Sequence, residues 1–159
     1  MSTVITKPEN GVFARLAGAY CKASSLLDNL QPLLLLGFRL YVARAFFLSG
    51  LTKTHDWSIT LALFRDEYHV PLLPPALAAV MGTATELSMP VLLALGLATR
   101  FGAFVLFFFN IIAVISYPAL PDIAIKDHIL WGTMIAVVLL FGPGAISVDR
   151  ALEKRLYPA

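Results

Sequence analysis

The sequence predicts an all-α membrane protein: an antiparallel bundle of four transmembrane helices, with an N-terminal interfacial amphipathic helix and a short helix in an outer loop. Three observations predict it. Of the 159 residues, 58% are hydrophobic and only 14% charged, against roughly 25% charged residues in soluble domains. The mean hydropathy is +0.79. The apolar residues gather into four runs, at about 33–53, 74–97, 100–117 and 123–141, each near the ~20 residues a helix needs to cross a ~30 Å hydrocarbon core. The formal net charge of +2 comes from basic residues scattered along the chain, so no stripe points to nucleic acid. Cys21 is the single cysteine, which excludes an internal disulfide and a CxxC redox pair.

Residues 1–32 carry Lys7, Arg15 and Lys22 and never form the 7–15 residue apolar core of a cleaved signal, so the segment reads as retained. From 12 to 30, Val12, Leu16, Ala19 or Tyr20, Ala23, Leu27 and Leu30 recur every three or four positions with Arg15, Lys22, Ser25 and Asn29 between them. Such a helix suits the membrane interface, or else packs on the bundle. The first span, 33–53, contains Arg39 and Arg44. In the loop 55–73, Asp56 precedes Ile59, Leu63 and Phe64 at helical spacing and suits the cap of a short outer helix. The second span opens on Pro74 and Pro75 and closes at Gly96. The third stops at Pro118 and the fourth at Gly142-Pro143-Gly144. The tail 148–159 returns to charged sequence. With both termini cytoplasmic, Lys7, Arg15, Lys22, Arg100, Arg150, Lys154 and Arg155 lie inside, against Lys53, Arg65 and Lys126 outside. Short connections at 96–99 and 118–122 make consecutive spans antiparallel neighbours, which defines a single domain over 33–147.

Charges inside spans identify the candidate site. An arginine near a bilayer centre costs at least ~2.5 kcal/mol and needs a partner. Arg44 lies about 11 residues from the inner end of the first span, and Glu86 about 11 from the inner end of the second. Depth therefore predicts an Arg44–Glu86 pair, with Asn110 of the third span as a third member. Glu86 shares a helix face with Gly82, Thr83, Pro90 and Leu93. The network either fixes helix register or lines a pocket or proton path. Arg39 reads as an interfacial anchor. His128, inside the fourth span, needs a buried partner. An outer group of His55, His69 and His128 with nearby carboxylates has no metal-motif spacing and reads as solvated loop charge. Haem would need a second histidine at matched depth. The stripe Phe101, Phe104, Phe107 and Phe108 reads as lipid-facing or core packing.

On these residues the chain resembles the DoxX family of small four-helix bacterial membrane proteins. The resemblance covers roughly residues 36–152 and lies in Gly50-Leu-Thr-Lys53 closing the first span, Glu86 followed by LGLATR at 95–100, and GPGAISVD at 142–149. It implies buried roles for Arg44 and Glu86 and an upper-rim position for Lys53 and His128. It also implies kinship with a subunit of a thiosulfate:quinone oxidoreductase and with proteins of membrane oxidoreductase complexes or of metal- and oxidant-stress operons. The expectation is a bacterial inner-membrane subunit that binds a quinone between its helices and works with a redox partner. Glu86 and His128 would handle protons, and Arg44, Lys53, Thr83 and Asn110 would form the polar network. Haem or copper is less favoured, and the chain could form an oligomer. The alternative is a non-enzymatic scaffold, transporter or metal-handling accessory for a partner protein.

Overall fold

The computed structural model describes residues 11–157, and all regular structure among them is helical. The helices are α1 (Val12–His55), α2 (Trp57–Asp66), α3 (Pro75–Leu95), α4 (Thr99–Ser116), α5 (Asp122–Phe141) and α6 (Val148–Leu156). Four of them, α1, α3, α4 and α5, are long and apolar enough to cross a membrane.

The contacts fix an antiparallel arrangement. Arg39 of α1 meets the Leu93 end of α3, whereas Gly50 of α1 meets Glu86 and Leu87. Gly102 of α4 lies against Met89 and Leu92, and Phe109 lies near Gly82. Asn110 pairs with His128 of α5. The bundle core joins Leu35, Val42 and Phe46 of α1 to Leu93, Ala103, Leu106, Ile135 and Val138. Chain reversals are written locally. Gly96 adopts φ 69, a left-handed conformation that only glycine takes without strain, and Leu97 N–H returns to Leu92 O at 3.0 Å to close α3. Pro75 at the start of α3 lacks an N–H that would have no partner there anyway.

At one end of the bundle, α2 fills the long connection between α1 and α3. The Asp56 carboxylate accepts from Ser58 N–H and Ile59 N–H at 2.9 and 3.1 Å. The Ser58 hydroxyl and these N–H groups hold its pKa below the usual carboxylate value. Thr60 donates to Lys53 O at 2.8 Å, and Phe64 packs on Ala78 and Ala79.

The first helix departs from the expectation of a boundary near residue 32. It runs unbroken for 44 residues with Pro32 inside it, about 66 Å at ~1.5 Å per residue. A proline removes one helical N–H bond but need not end a helix whose flanking turns are intact. Residues 12–31 are therefore part of α1 and not a separate helix, and nearly all are exposed instead of packed on the bundle. The aromatic stripe of α4 faces outward at Phe101, Phe104 and Phe108, with Phe107 half-buried.

Candidate functional site

The membrane-spanning helices carry three separate polar clusters, where the sequence predicted one network. The predicted Arg44–Glu86 pair does not form. Leu35, Arg39, Val42, Ala43, Phe46 and Gly50 make the buried stripe of α1. At ~100° per residue Arg44 stands about 180° from Leu35, on the opposite face, and it is exposed. Equating depth from span ends also misplaced the axial register. Glu86 lies level with Gly50, about 9 Å along the axis from Arg44 at ~1.5 Å per residue.

The partner of Glu86 is Lys53. Its Nζ lies 2.9 Å from Oε1 and 2.7 Å from Oε2, while the Ser49 hydroxyl donates to Oε1 at 3.0 Å and accepts from Nζ at 2.9 Å. The side chains are 17% and 7% exposed for Lys53 and Glu86, so removing either one would strand a largely buried charge. Gly50 makes the approach feasible, since a Cβ there would stand 2.9 to 3.0 Å from Leu87 and Glu86 side-chain atoms. The α3 stripe Gly82, Thr83, Glu86, Pro90 and Leu93 is buried as its spacing requires. Within it, Thr83 Oγ1 has no hydrogen-bond partner, and Oε2 of Glu86 has the ion contact but no well-directed hydrogen bond.

Asn110 belongs to a second cluster, with His128. Its amide nitrogen donates to His128 O at 2.9 Å, and its carbonyl oxygen lies 2.7 Å from His128 Nδ1. A carbonyl only accepts, so Nδ1 carries a proton, and in the neutral ring Nε2 is the nitrogen with a free lone pair. Gly132 gives Asn110 its space, a Cβ there lying 3.1 Å from Nδ2. Trp131 stacks edge-on against both His128 and Phe46, at 5.0 and 5.6 Å between ring centroids, and its buried indole N–H has no partner. Asn110 and His128 open onto a groove of about 470 Å³ between α4 and α5, walled by Phe107, Ile111, Ile115, Ile125 and Ile129.

A third cluster is centred on Arg39, which is 1% exposed and not an interfacial anchor. Nε and Nη2 donate to Leu93 O and Ala94 O at 2.7 and 2.8 Å, and Nη1 to Pro143 O and Ile146 O at 2.7 Å each. Helix ends leave carbonyls unmatched, and here one guanidinium matches those of α3 and of the turn after α5. Next to it, Asp149 accepts from Ala98 N–H, Thr99 N–H and Thr99 Oγ1 at 2.8 to 2.9 Å and so caps α4. Burial works to raise the Asp149 pKa, but these hydrogen bonds and the Arg39 charge outweigh it and hold the group below the usual carboxylate value.

Among the described residues, no three His, Cys, Asp or Glu side chains gather to hold a metal ion, so His55, His69 and His128 do not form a cluster. The sequence held a signal for the correct partners. Arg39, Ser49 and Lys53 all share the helical phase of Leu35, Val42 and Phe46, and Arg44 does not.

Four apolar antiparallel helices with charges paired inside them define a multi-pass membrane protein. The DoxX family model matches residues 34–119, more than half of the chain, and the protein belongs to the DoxX family. The match covers α3, α4 and all of α1 that lies in the bundle. No curated protein and no solved structure matches the chain.

Proposed function

We propose that this DoxX-family protein binds a lipophilic redox molecule of the quinone class in the groove between α4 and α5 and exchanges protons with it at His128. The observation that carries this reading is an imidazole held through Nδ1 by Asn110 in the lining of an aliphatic groove. Asn110 orients the ring through Nδ1. Nε2 has no protein partner and is not fully buried, so it stays accessible to accept a hydrogen bond from a quinol hydroxyl. The isoleucine walls suit an isoprenoid or similar tail entering from lipid. Electrons would pass between the quinone and a redox partner protein. Lys53, Ser49 and Glu86 lie toward the same end of the bundle as His128, and they form a second acid–base cluster for proton exchange with that side of the membrane.

The bundle end bearing Arg100, Arg150, Lys154 and Arg155 is the more basic. This supports placing it on the cytoplasmic face of a bacterial inner membrane, with both chain ends inside.

The test is titration of the Trp57→Phe protein with short-chain quinones, read by quenching of Trp131 beside His128. Saturable quenching is expected, with the dissociation constant raised about 10-fold or more by His128→Ala or Asn110→Leu, the loss of about one good hydrogen bond. Weakening by Glu86→Gln with none from His128→Ala would move the site to the Lys53–Glu86 face. No saturable quenching in any variant would refute quinone binding and leave a non-enzymatic accessory role.

A further inference from the structure

The first twenty residues of α1 extend about 30 Å past the bundle at ~1.5 Å per residue, and they carry an apolar seam. Phe13, Leu16, Tyr20, Ala23, Leu27 and Leu30 alternate steps of three and four, and all six are exposed. Leu34, 54% exposed, adds the next step where the helix reaches the bundle. An apolar repeat of 3.5 residues is the pattern that winds two helices into a left-handed coiled coil. Arg15, Lys22 and Asp28 all fall at outer positions of this repeat, so no like charges would face each other across it. Pro32 is also on the outside.

The seam is not a continuation of the bundle-facing side of α1. Carried down the helix, that side comes to Ser24, Asp28 and Gln31, all polar, and the apolar seam is rotated from it by about 110° at ~100° per residue. The protein's own helices therefore leave the seam open. We infer that it is the docking surface for a second copy of this chain, the two α1 extensions forming a parallel coiled-coil dimer over residues 13–34.

Continuity with the span selects the partner. Two copies inserted in one membrane with the same orientation present their extensions parallel and at equal height, the alignment that puts Leu27 against Leu27 and Leu30 against Leu30. Burying the six seam residues together with the flanking Leu26 and Leu33 on each helix, at about 80 Å² apiece, removes about 1,300 Å² from water. That falls within the roughly 1,200–2,000 Å² of stable protein interfaces. The repeat ends within the membrane, where the exposed Arg44 continues its phase and two guanidiniums would repel, so the spans diverge there.

The experiment places single cysteines in a Cys21→Ala background in native membranes and oxidises them. Leu27→Cys and Leu30→Cys should crosslink to a dimer, and Asn29→Cys, on the outer side, should crosslink at least ~10-fold less. Leu27→Glu should abolish the dimer in single-molecule photobleaching while the bundle stays folded, because the Leu27 side chain is exposed and outside the bundle core. Equal crosslinking at positions 27 and 29, a monomer in photobleaching, or protection of the Leu27→Cys thiol from a water-soluble maleimide without crosslinking would each overturn the proposal. The last of these would mean that the seam lies against lipid.

Discussion

The two ends of the bundle treat buried charge differently. At the α6 end, Arg39 directs four hydrogen bonds to four backbone carbonyls, and Asp149 takes three from the start of α4. At the α2 end, Thr83 Oγ1 and the Trp131 N–H have no partner, and Oε2 of Glu86 and Nε2 of His128 retain acceptor capacity. A buried polar group with nearly every site matched is fastened in place, whereas one with an unmatched acceptor or hydroxyl can still meet a ligand or a proton. The first end joins helices, and the second is where chemistry can happen.

Arg39→Met tests the fastened end and should have the largest effect. It leaves the carbonyls of Ala94, Pro143 and Ile146 without their donor and Leu93 O with only the Gly96 N–H, and a stability loss of about 3–5 kcal/mol is expected, read by thermal unfolding in detergent. Arg39→Lys should not restore it, because an ammonium cannot reproduce the planar fork. A loss below about 1 kcal/mol would mean that water replaces the guanidinium and that the two ends do not differ in kind.

The Lys53–Glu86 pair should come next. Lys53→Met alone leaves a largely buried carboxylate and should cost about 3 kcal/mol. The double variant Lys53→Met/Glu86→Leu should recover most of that loss in a double-mutant cycle while abolishing any proton-coupled activity. Additive losses would place the two side chains apart.

Asp149 is expected to contribute about 1 kcal/mol as a helix cap in a partly solvated setting. Because its folded pKa is lowered, that contribution is complete above the usual carboxylate pKa and is lost as pH falls through the lowered value. Amide exchange at Ala98 and Thr99, measured against pH, should show protection disappearing on acidification. In Asp149→Asn it should be weak at every pH. A protection profile in Asp149→Asn that still follows the acid titration would assign the effect to another group.

The smallest effect should be at Thr83. Thr83→Val removes an unpaired buried hydroxyl and should leave stability unchanged or raise it by less than about 1 kcal/mol. A clear loss would reveal a partner for Oγ1 and narrow the contrast between the two ends.

Much of the architecture was legible in the chain because helix periodicity and stop signals are local. The run 74–97 became Pro75–Leu95, 100–117 became Thr99–Ser116, and 123–141 became Asp122–Phe141. The inward face of α3, with Thr83 and Glu86 on it, followed from spacing alone. Residues 12–30 and 33–53 were read as two helices because the apolar run begins at Leu33, and hydropathy reports where a helix becomes lipophilic, whereas one helix runs through both.

Sequence by itself determined that this protein is built of apolar helices long enough to span a membrane, and which residues could carry charge into them. Only the tertiary structure decided the pairing, Glu86 to Lys53, Asn110 to His128 and Arg39 to the carbonyls of Leu93, Ala94, Pro143 and Ile146. The periodicity of one helix fixes the direction of a side chain around its own axis. The axial offset between two helices comes from loops, caps and core packing distant in sequence, and a shift of about six residues, about 9 Å, exchanges one partner for another.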